Sequence, residues 1–316
     1  MDKTMENTEY VLKTNNLTKI YKGVKVVNSV DMHVKKGDIY GFIGKNGAGK
    51  TTFMRMVAGL AAPSEGSIEL FESNDLDFQR KRIGTLIENP GIYPGMNAKD
   101  NLEIVRRTYG VTDKKAVNEI LNLVGLQDVG KKKVKNFSMG MKQRLGLAVA
   151  LIRNPDFLIL DEPINGLDPE GIRETRDLLL KLNKEKNITI LISSHILGEL
   201  SKIATRYGII KNGVLVEEFG TTELEQKCQR CLKIEVDDVA LASNILETTL
   251  TITNYDVPAN GEIRIFERID EVMEINKALT LGGVGIKKSY TAGKNLEDYF
   301  MDLLETEQNK GGNQNA

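Results

Sequence analysis

The chain reads as an α/β protein followed by a smaller α+β unit. Three observations predict this. A glycine-rich turn, Gly44-Lys45-Asn46-Gly47-Ala48-Gly49-Lys50-Thr51-Thr52, lies between a short apolar run at 39–43 and a helix-like stretch at 53–60. Two further apolar runs, 157–160 and 188–192, have the length and branched side chains of strands buried on both faces of a parallel sheet. Beyond Gly220 the order of elements changes to strand, helix, strand, strand, helix, strand.

Residues 9–36 alternate apolar and polar side chains, as half-buried antiparallel strands do, with a turn near Lys22-Gly23. Tyr21 closes the first strand; its ring either stacks on a purine base or is an ordinary sheet-edge residue. Strands are expected at 67–70 and 83–87, and the stretch 88–95, dense in proline and glycine, is a loop. Asn97 is placed to cap a helix over 98–109, and a second helix over 114–124 stops at Gly125. This block interrupts the strand–helix alternation, so a helical insertion on the α/β core is expected. The run Lys131-Lys132-Lys133-Val134-Lys135 reads as a solvated basic loop. A helix is expected over 145–153, ended by Asn154-Pro155.

The run 157–160 ends in Asp161-Glu162-Pro163, at the strand end where α/β sheets hold their ligands. Burying two adjacent carboxylates costs stability unless a cation or donors compensate, and Mg²⁺ with an attacking water is a natural compensator. Asp168 and Pro169 suit the cap and first position of the next helix. The run 188–192 ends in Ser193-Ser194-His195; the histidine is either a satisfied core residue or faces the same crevice as Asp161-Glu162. Residues 206–219 read as a hairpin about Asn212-Gly213. The later unit has strands at 232–236, 250–254, 262–266 and 285–289 and helices at 239–246 and 269–281, the ferredoxin-like order. A terminal helix over 295–304 and a polar, disordered tail over 306–316 complete the expectation.

With 316 residues the chain is long enough for about two domains. Its 43 basic and 44 acidic residues leave a net charge of −1, so no global charge favours nucleic acid or an anionic membrane surface. No run approaches the ~18 apolar residues of a membrane-spanning helix. The polar N-terminus carries no signal peptide, which places the chain in the cytosol. Cys228 and Cys231 form a C-x-x-C pair without a second pair or a nearby histidine, and a strand pattern follows rather than a helix. Ordinary reduced thiols are the reading; a redox or zinc pair is the alternative.

The glycine-rich turn matches the phosphate-loop pattern G-x-x-x-x-G-K-[ST] in the strand–turn–helix setting that pattern requires. Gly44, Gly47 and Gly49 let the backbone come close to phosphates, and the backbone of Lys45, Asn46, Ala48 and Thr52 continues the row of N–H donors. Lys50 can reach the outer phosphates, and the Thr51 hydroxyl can meet Mg²⁺.

The order phosphate loop, Ser-x-Gly-x-x-Gln-Arg (138–144), apolar strand with Asp161-Glu162-Pro163, Gly166-Leu167-Asp168-Pro169, then Ser193-Ser194-His195 resembles the ATPase subunit of an ATP-binding-cassette (ABC) transporter. The resemblance covers about 9–220. It implies a P-loop NTPase core with an antiparallel β subdomain and a helical subdomain, using ATP and Mg²⁺. The small C-terminal α+β domain then spans 221–305, and the tail 306–316. By the same resemblance Lys50 and Thr51 contact phosphate and Mg²⁺, Asp161 binds Mg²⁺, and Glu162 is the general base for the attacking water. His195 senses the γ-phosphate and Tyr21 stacks on adenine. Ser138 and Gly140 close on the ATP of a second copy, and Asp168 crosses between subunits. One phosphate loop and one such signature per chain imply a head-to-tail homodimer. A separate membrane permease would hold it at the cytoplasmic face, contacted by 88–95 and the helical block.

Two departures stand out. The signature usually reads Leu-Ser-Gly-Gly-Gln, where this chain has Phe137-Ser138-Met139-Gly140-Met141. The glutamine usual after the strand at 83–87 is Glu88, which can take part in Mg²⁺ coordination or water positioning but cannot donate as an amide does. This glutamate, with the ending at 295–300, is similar to the bacitracin and lantibiotic exporter subgroup. A non-transport ATPase acting on DNA or ribosomes is the rival; the lack of room for a coiled-coil insertion, the single cassette and the near-zero charge count against it. Intact Glu162 and His195 count against a regulatory module without turnover.

Overall fold

The computed structural model describes residues 9–88, 91–195, 197–228, 230–258, 261–293 and 299–300. The chain divides into two compact units, with the break between Thr221 and Thr222.

The first unit opens with β1 (Tyr10–Tyr21), β2 (Val24–Val30) and β3 (His33–Lys35), and β1 pairs antiparallel with both of the others. The β1–β2 turn uses left-handed Lys22 and Gly23. β4 (Ile39–Ile43) is buried at every position and runs into the glycine turn and α1 (Lys50–Val57). β5 (Glu65–Leu70) returns to pair antiparallel with β1. After it come α2 (Leu76–Gln79) and β6 (Ile83–Leu86). The helical block holds α3 (Ala98–Thr108), capped by the Asn97 side chain as expected, and α4 (Ala116–Leu123). Next are α5 (Met139–Leu151), β7 (Phe157–Asp161), α6 (Pro169–Lys186), β8 (Thr189–Ser194) and α7 (Leu197–Leu200), then the hairpin of β9 (Arg206–Lys211) and β10 (Val214–Gly220).

The main sheet has the order β10-β9-β4-β8-β7-β6, parallel from β9 to β6 and antiparallel only at β10. β7 and β8 are buried throughout, which is why both read as continuous apolar runs. Phe157, Leu158, Ile159 and Leu160 are each fully buried, worth roughly 1.5–3 kcal/mol per side chain. The parallel order sets the carboxyl ends of β4, β7 and β8 side by side, so the loops after them converge.

The second unit holds α8 (Thr221–Cys228, starting at the break), β11 (Cys231–Val236), α9 (Val239–Thr248), β12 (Tyr255–Asp256), β13 (Glu262–Ile265), α10 (Val272–Leu281) and β14 (Ile286–Ala292). Its sheet runs β12-β13-β11-β14 with every neighbour antiparallel, the ferredoxin-like arrangement, over a core of its own that includes Leu232, Ile234, Ile263, Ile265, Ile275 and Leu279.

Three of the differences from expectation have a local cause. α5 begins at Met139 rather than near 145, because the Ser138 hydroxyl accepts from the Met141 N–H at 3.3 Å and caps the helix there. The stretch 250–254 is not a strand. The Leu250 and Ile252 N–H groups close back on α9 carbonyls, those of Thr253 and Asn254 donate to the Glu267 carboxylate at 2.6 and 2.7 Å, and Thr251 between them is left-handed at φ 55°, which breaks an extended run. The strand expected there is the two-residue β12, slightly later. α10 begins at Val272 rather than 269, after the Arg268–Glu271 pair. The terminal helix at 295–304 lies almost wholly outside the described residues, and the tail at 306–316 entirely so.

Candidate functional site

The glycine turn places two of its glycines against the protein itself. A β-carbon on Gly44 would lie 2.5 Å from the Ile210 carbonyl oxygen, and one on Gly49, at φ 106°, would lie 2.6 Å from the Val26 carbonyl oxygen. Gly47, at φ 81°, faces open space. So Gly44 and Gly49 are demanded by internal packing, and Gly47 by backbone conformation.

Lys50 is buried, and its ammonium folds back onto the loop, donating to the carbonyls of Gly44 at 2.6 Å and Lys45 at 3.3 Å. One residue on, the Thr51 hydroxyl donates to Asp161 Oδ2 at 2.7 Å. The other oxygen of Asp161 takes the Ser193 hydroxyl at 2.6 Å, and the same hydroxyl accepts the Glu162 N–H at 2.9 Å. β7 and β8 create this junction: their parallel register sets Asp161 beside Ser193. The burial anticipated for this carboxylate is thus compensated by two hydroxyl donors.

Glu162 stands just past β7 with a left-handed backbone, φ 51°, a conformation that costs a residue with a β-carbon about 1–2 kcal/mol. Its Oε2 lies 2.7 Å from His195 Nδ1. Its Oε1 is buried without a hydrogen-bond partner, 3.8 Å from the Lys50 ammonium. His195 is exposed, so it is no core histidine; what it meets is the Glu162 carboxylate. Asn46 to Thr52 line a cavity of about 300 Å³ together with Val26, Asp161 and Glu162. Hydroxyl and carboxylate oxygens are the donors Mg²⁺ takes, and an unsatisfied carboxylate oxygen beside them fits that chemistry.

The other expected residues lie apart from this cluster. Ser138, Gly140 and Asp168 line a second cavity of about 460 Å³ that shares no residue with the first. Asp168 caps α6 through the Gly171 N–H at 3.1 Å, with Pro169 in the first turn. Tyr21 is 44% exposed at the end of β1, its ring under the Lys19 ammonium at 5.0 Å. Glu88 points to the Arg55 guanidinium at 2.6 Å, although it shares a third cavity, of about 520 Å³, with Asp161 and Glu162. Cys228 and Cys231 form no disulfide, and burial raises the Cys231 thiol pKa, opposite to an activated thiol. Sequence reasoning missed Ser193 and Arg55. Ser193 had a signal: it is the polar residue ending an apolar run beside Asp161.

A strand–loop–helix phosphate cradle, a serine-threonine-carboxylate junction and a histidine on the second carboxylate define a P-loop nucleoside triphosphatase. The ABC transporter family pattern matches residues 27–165. The bacitracin transport ATP-binding protein BcrA of Bacillus licheniformis is 43% identical over 297 residues, 93% of this chain and 97% of the relative. The lantibiotic transport ATP-binding protein SrtF of Streptococcus pyogenes is 43% identical over 220 residues, 68% of this chain and 95% of the relative. Among solved structures, a dimeric post-hydrolysis state of an ATP-binding cassette bound to ADP and Pi matches with a TM-score of 0.61 at 26% identity, over 66% of this chain and 98% of that one. The chain belongs to the ABC transporter family of ATP-binding proteins and is an ATP-hydrolysing component of a transporter. Among the described residues, no helix is long and apolar enough to cross a membrane.

Proposed function

We propose that the chain works as half of a head-to-tail homodimer holding two ATP molecules between its subunits, and that it powers export of a bacitracin- or lantibiotic-like peptide through a separate permease at the cytoplasmic face of the membrane. One observation supports the dimer most: the phosphate-loop residues and the trio Ser138, Gly140 and Asp168 line separate cavities in one chain. Two copies facing each other bring one of each to every nucleotide. Kinship with transport proteins named for bacitracin and a lantibiotic supports the cargo class.

In this reading the domain at 9–220 carries the chemistry, and 221–305 forms a further domain. Lys50 leaves the loop carbonyls to bind the outer phosphates, and the backbone donors from Gly44 to Thr52 surround them. Tyr21 stacks on adenine. Thr51 and Asp161, with Glu88 in attendance, hold Mg²⁺, which when bound neutralises phosphate charge. Glu162 orients the attacking water, and His195 holds the Glu162 carboxylate and reads the γ-phosphate. Ser138 and Gly140 donate to the nucleotide from across the interface, and Asp168 crosses beside them. In-line attack of water then needs only placement and neutralised charge.

Glu162→Gln keeps the shape and removes one negative charge from the interface. It should abolish phosphate release and leave an ATP-bound dimer, sized by light scattering with Mg-ATP. A Glu162→Gln chain that hydrolyses ATP normally, or stays monomeric with ATP, contradicts this reading.

A further inference from the structure

Glu88 lies two residues beyond β6, and Leu86 of β6 pairs with Leu160 of β7. Glu88, Asp161 and Glu162 therefore leave neighbouring strands on the same edge of the sheet, and all three line one cavity. The Glu88 carboxylate is nonetheless taken by Arg55, whose guanidinium donates to Oε2 at 2.6 Å. Arg55 stands four residues after Thr51 on α1, so the two share a helix face. The hydroxyl that grips Asp161 and the guanidinium that grips Glu88 are thus one helical turn apart on a single rigid element.

We propose that Arg55 is a positioning residue that withholds the Glu88 carboxylate from the metal–nucleotide site, so that the pair acts as a latch on how tightly the divalent cation is taken. The inference rests on the reading of Thr51, Asp161 and Glu88 as the Mg²⁺ site. The side chains of Arg55 and Glu88 are 38% and 54% exposed, which makes the pair weak enough to yield. A cation beside Asp161 is the largest local charge and competes directly for the carboxylate. Glutamine at position 88 could accept one hydrogen bond from Arg55 but would bring no charge to either partner, so the latch is a property of the glutamate.

The test is binding of Mn²⁺ in the presence of ADP, followed by electron paramagnetic resonance on the full chain, so that no turnover is involved. Arg55→Ala should lower the Mn²⁺ dissociation constant about two- to five-fold, the range open to an exposed ion pair. Arg55→Lys, which can keep the pair, should stay near the wild type. In a Glu88→Gln background, Arg55→Ala should change nothing. An Arg55→Ala chain with wild-type Mn²⁺ affinity, or an effect that persists without Glu88, overturns the latch while leaving the nucleotide site standing. A wild-type chain that takes up no Mn²⁺ with ADP overturns the site reading and the latch with it. Arg55→Gln, whose methylene stem still covers α1 while its amide carries no charge, should lower the Mn²⁺ dissociation constant in the same direction, so a folding defect of the alanine variant leaves the test standing.

Discussion

The Ser193 hydroxyl donates to Asp161 Oδ1 at 2.6 Å while accepting the N–H of the next residue, Glu162, at 2.9 Å. One fully buried oxygen thereby fixes both neighbouring acidic residues, the first by its side chain and the second by its backbone. Ser193→Ala would strand a buried carboxylate oxygen and a backbone N–H. It should lower the unfolding free energy by about 1–3 kcal/mol, read as a shifted urea midpoint, because unmet buried groups keep their full desolvation cost. ATP hydrolysis should fall with it, since Glu162 loses its backbone anchor. An unchanged midpoint together with an unchanged rate would refute the anchoring role.

Much of the fold was legible because its signals are local. The phosphate loop is consecutive, the Asn97 and Asp168 caps act within three residues, and β4, β7 and β8 advertise their burial as unbroken apolar runs. Most of what escaped depends on partners outside the local pattern. Ser193 matters through its register with Asp161, 32 residues away. Arg55 looks like one more polar residue on an amphipathic helix until β6 delivers Glu88 to it. The stretch 250–254 alternates like a strand, yet donors in it are claimed by the end of α9 and by the Glu267 side chain beyond the next strand. The α5 start was hidden because Ser-Met-Gly-Met shows no helical period of its own; the cap, not the pattern, begins the helix.

Tyr40 supplies a pH dependence. Its hydroxyl donates to Glu218 Oε1 at 2.9 Å, and burial, aided by the Glu218 charge, pushes its ionisation well above the ordinary tyrosine range. In the unfolded chain it ionises at about pH 10. The folded state therefore holds this proton longer than the unfolded state does. Its contribution is complete below about pH 10 and is lost as pH rises further. Urea midpoints should fall above about pH 10, and Tyr40→Phe should flatten that decline relative to the wild type. At neutral pH the same variant should lose about 1 kcal/mol for the missing hydrogen bond. Glu218 retains the His33 N–H at 3.1 Å and Arg206 at 3.4 Å. Parallel pH profiles for the two proteins would rule out Tyr40 as the source.

The two separate half-sites make a mixing prediction. Lys50→Ala removes the phosphate-binding ammonium from one cavity, and Ser138→Asp sets a negative charge in the other. Aspartate still caps α5, because a carboxylate accepts from the Met141 N–H as the serine does, so helix stability is not the variable. Each variant alone should release no phosphate, since a symmetric dimer of either carries the same defect twice. In a heterodimer the defects segregate: the Ser138→Asp chain brings an intact phosphate loop, the Lys50→Ala chain brings an intact Ser138, and these face each other across one nucleotide. The second nucleotide meets both lesions. Random pairing at equal amounts makes half the dimers mixed, each with one whole site, so phosphate release should recover to about a quarter of the wild-type rate per chain if the sites turn over independently. Recovery also has to depend on concentration, because dilution separates the halves. A mixture as silent as its components at every concentration, with both variants folded, would mean that each chain completes its own site and that the paired arrangement is wrong.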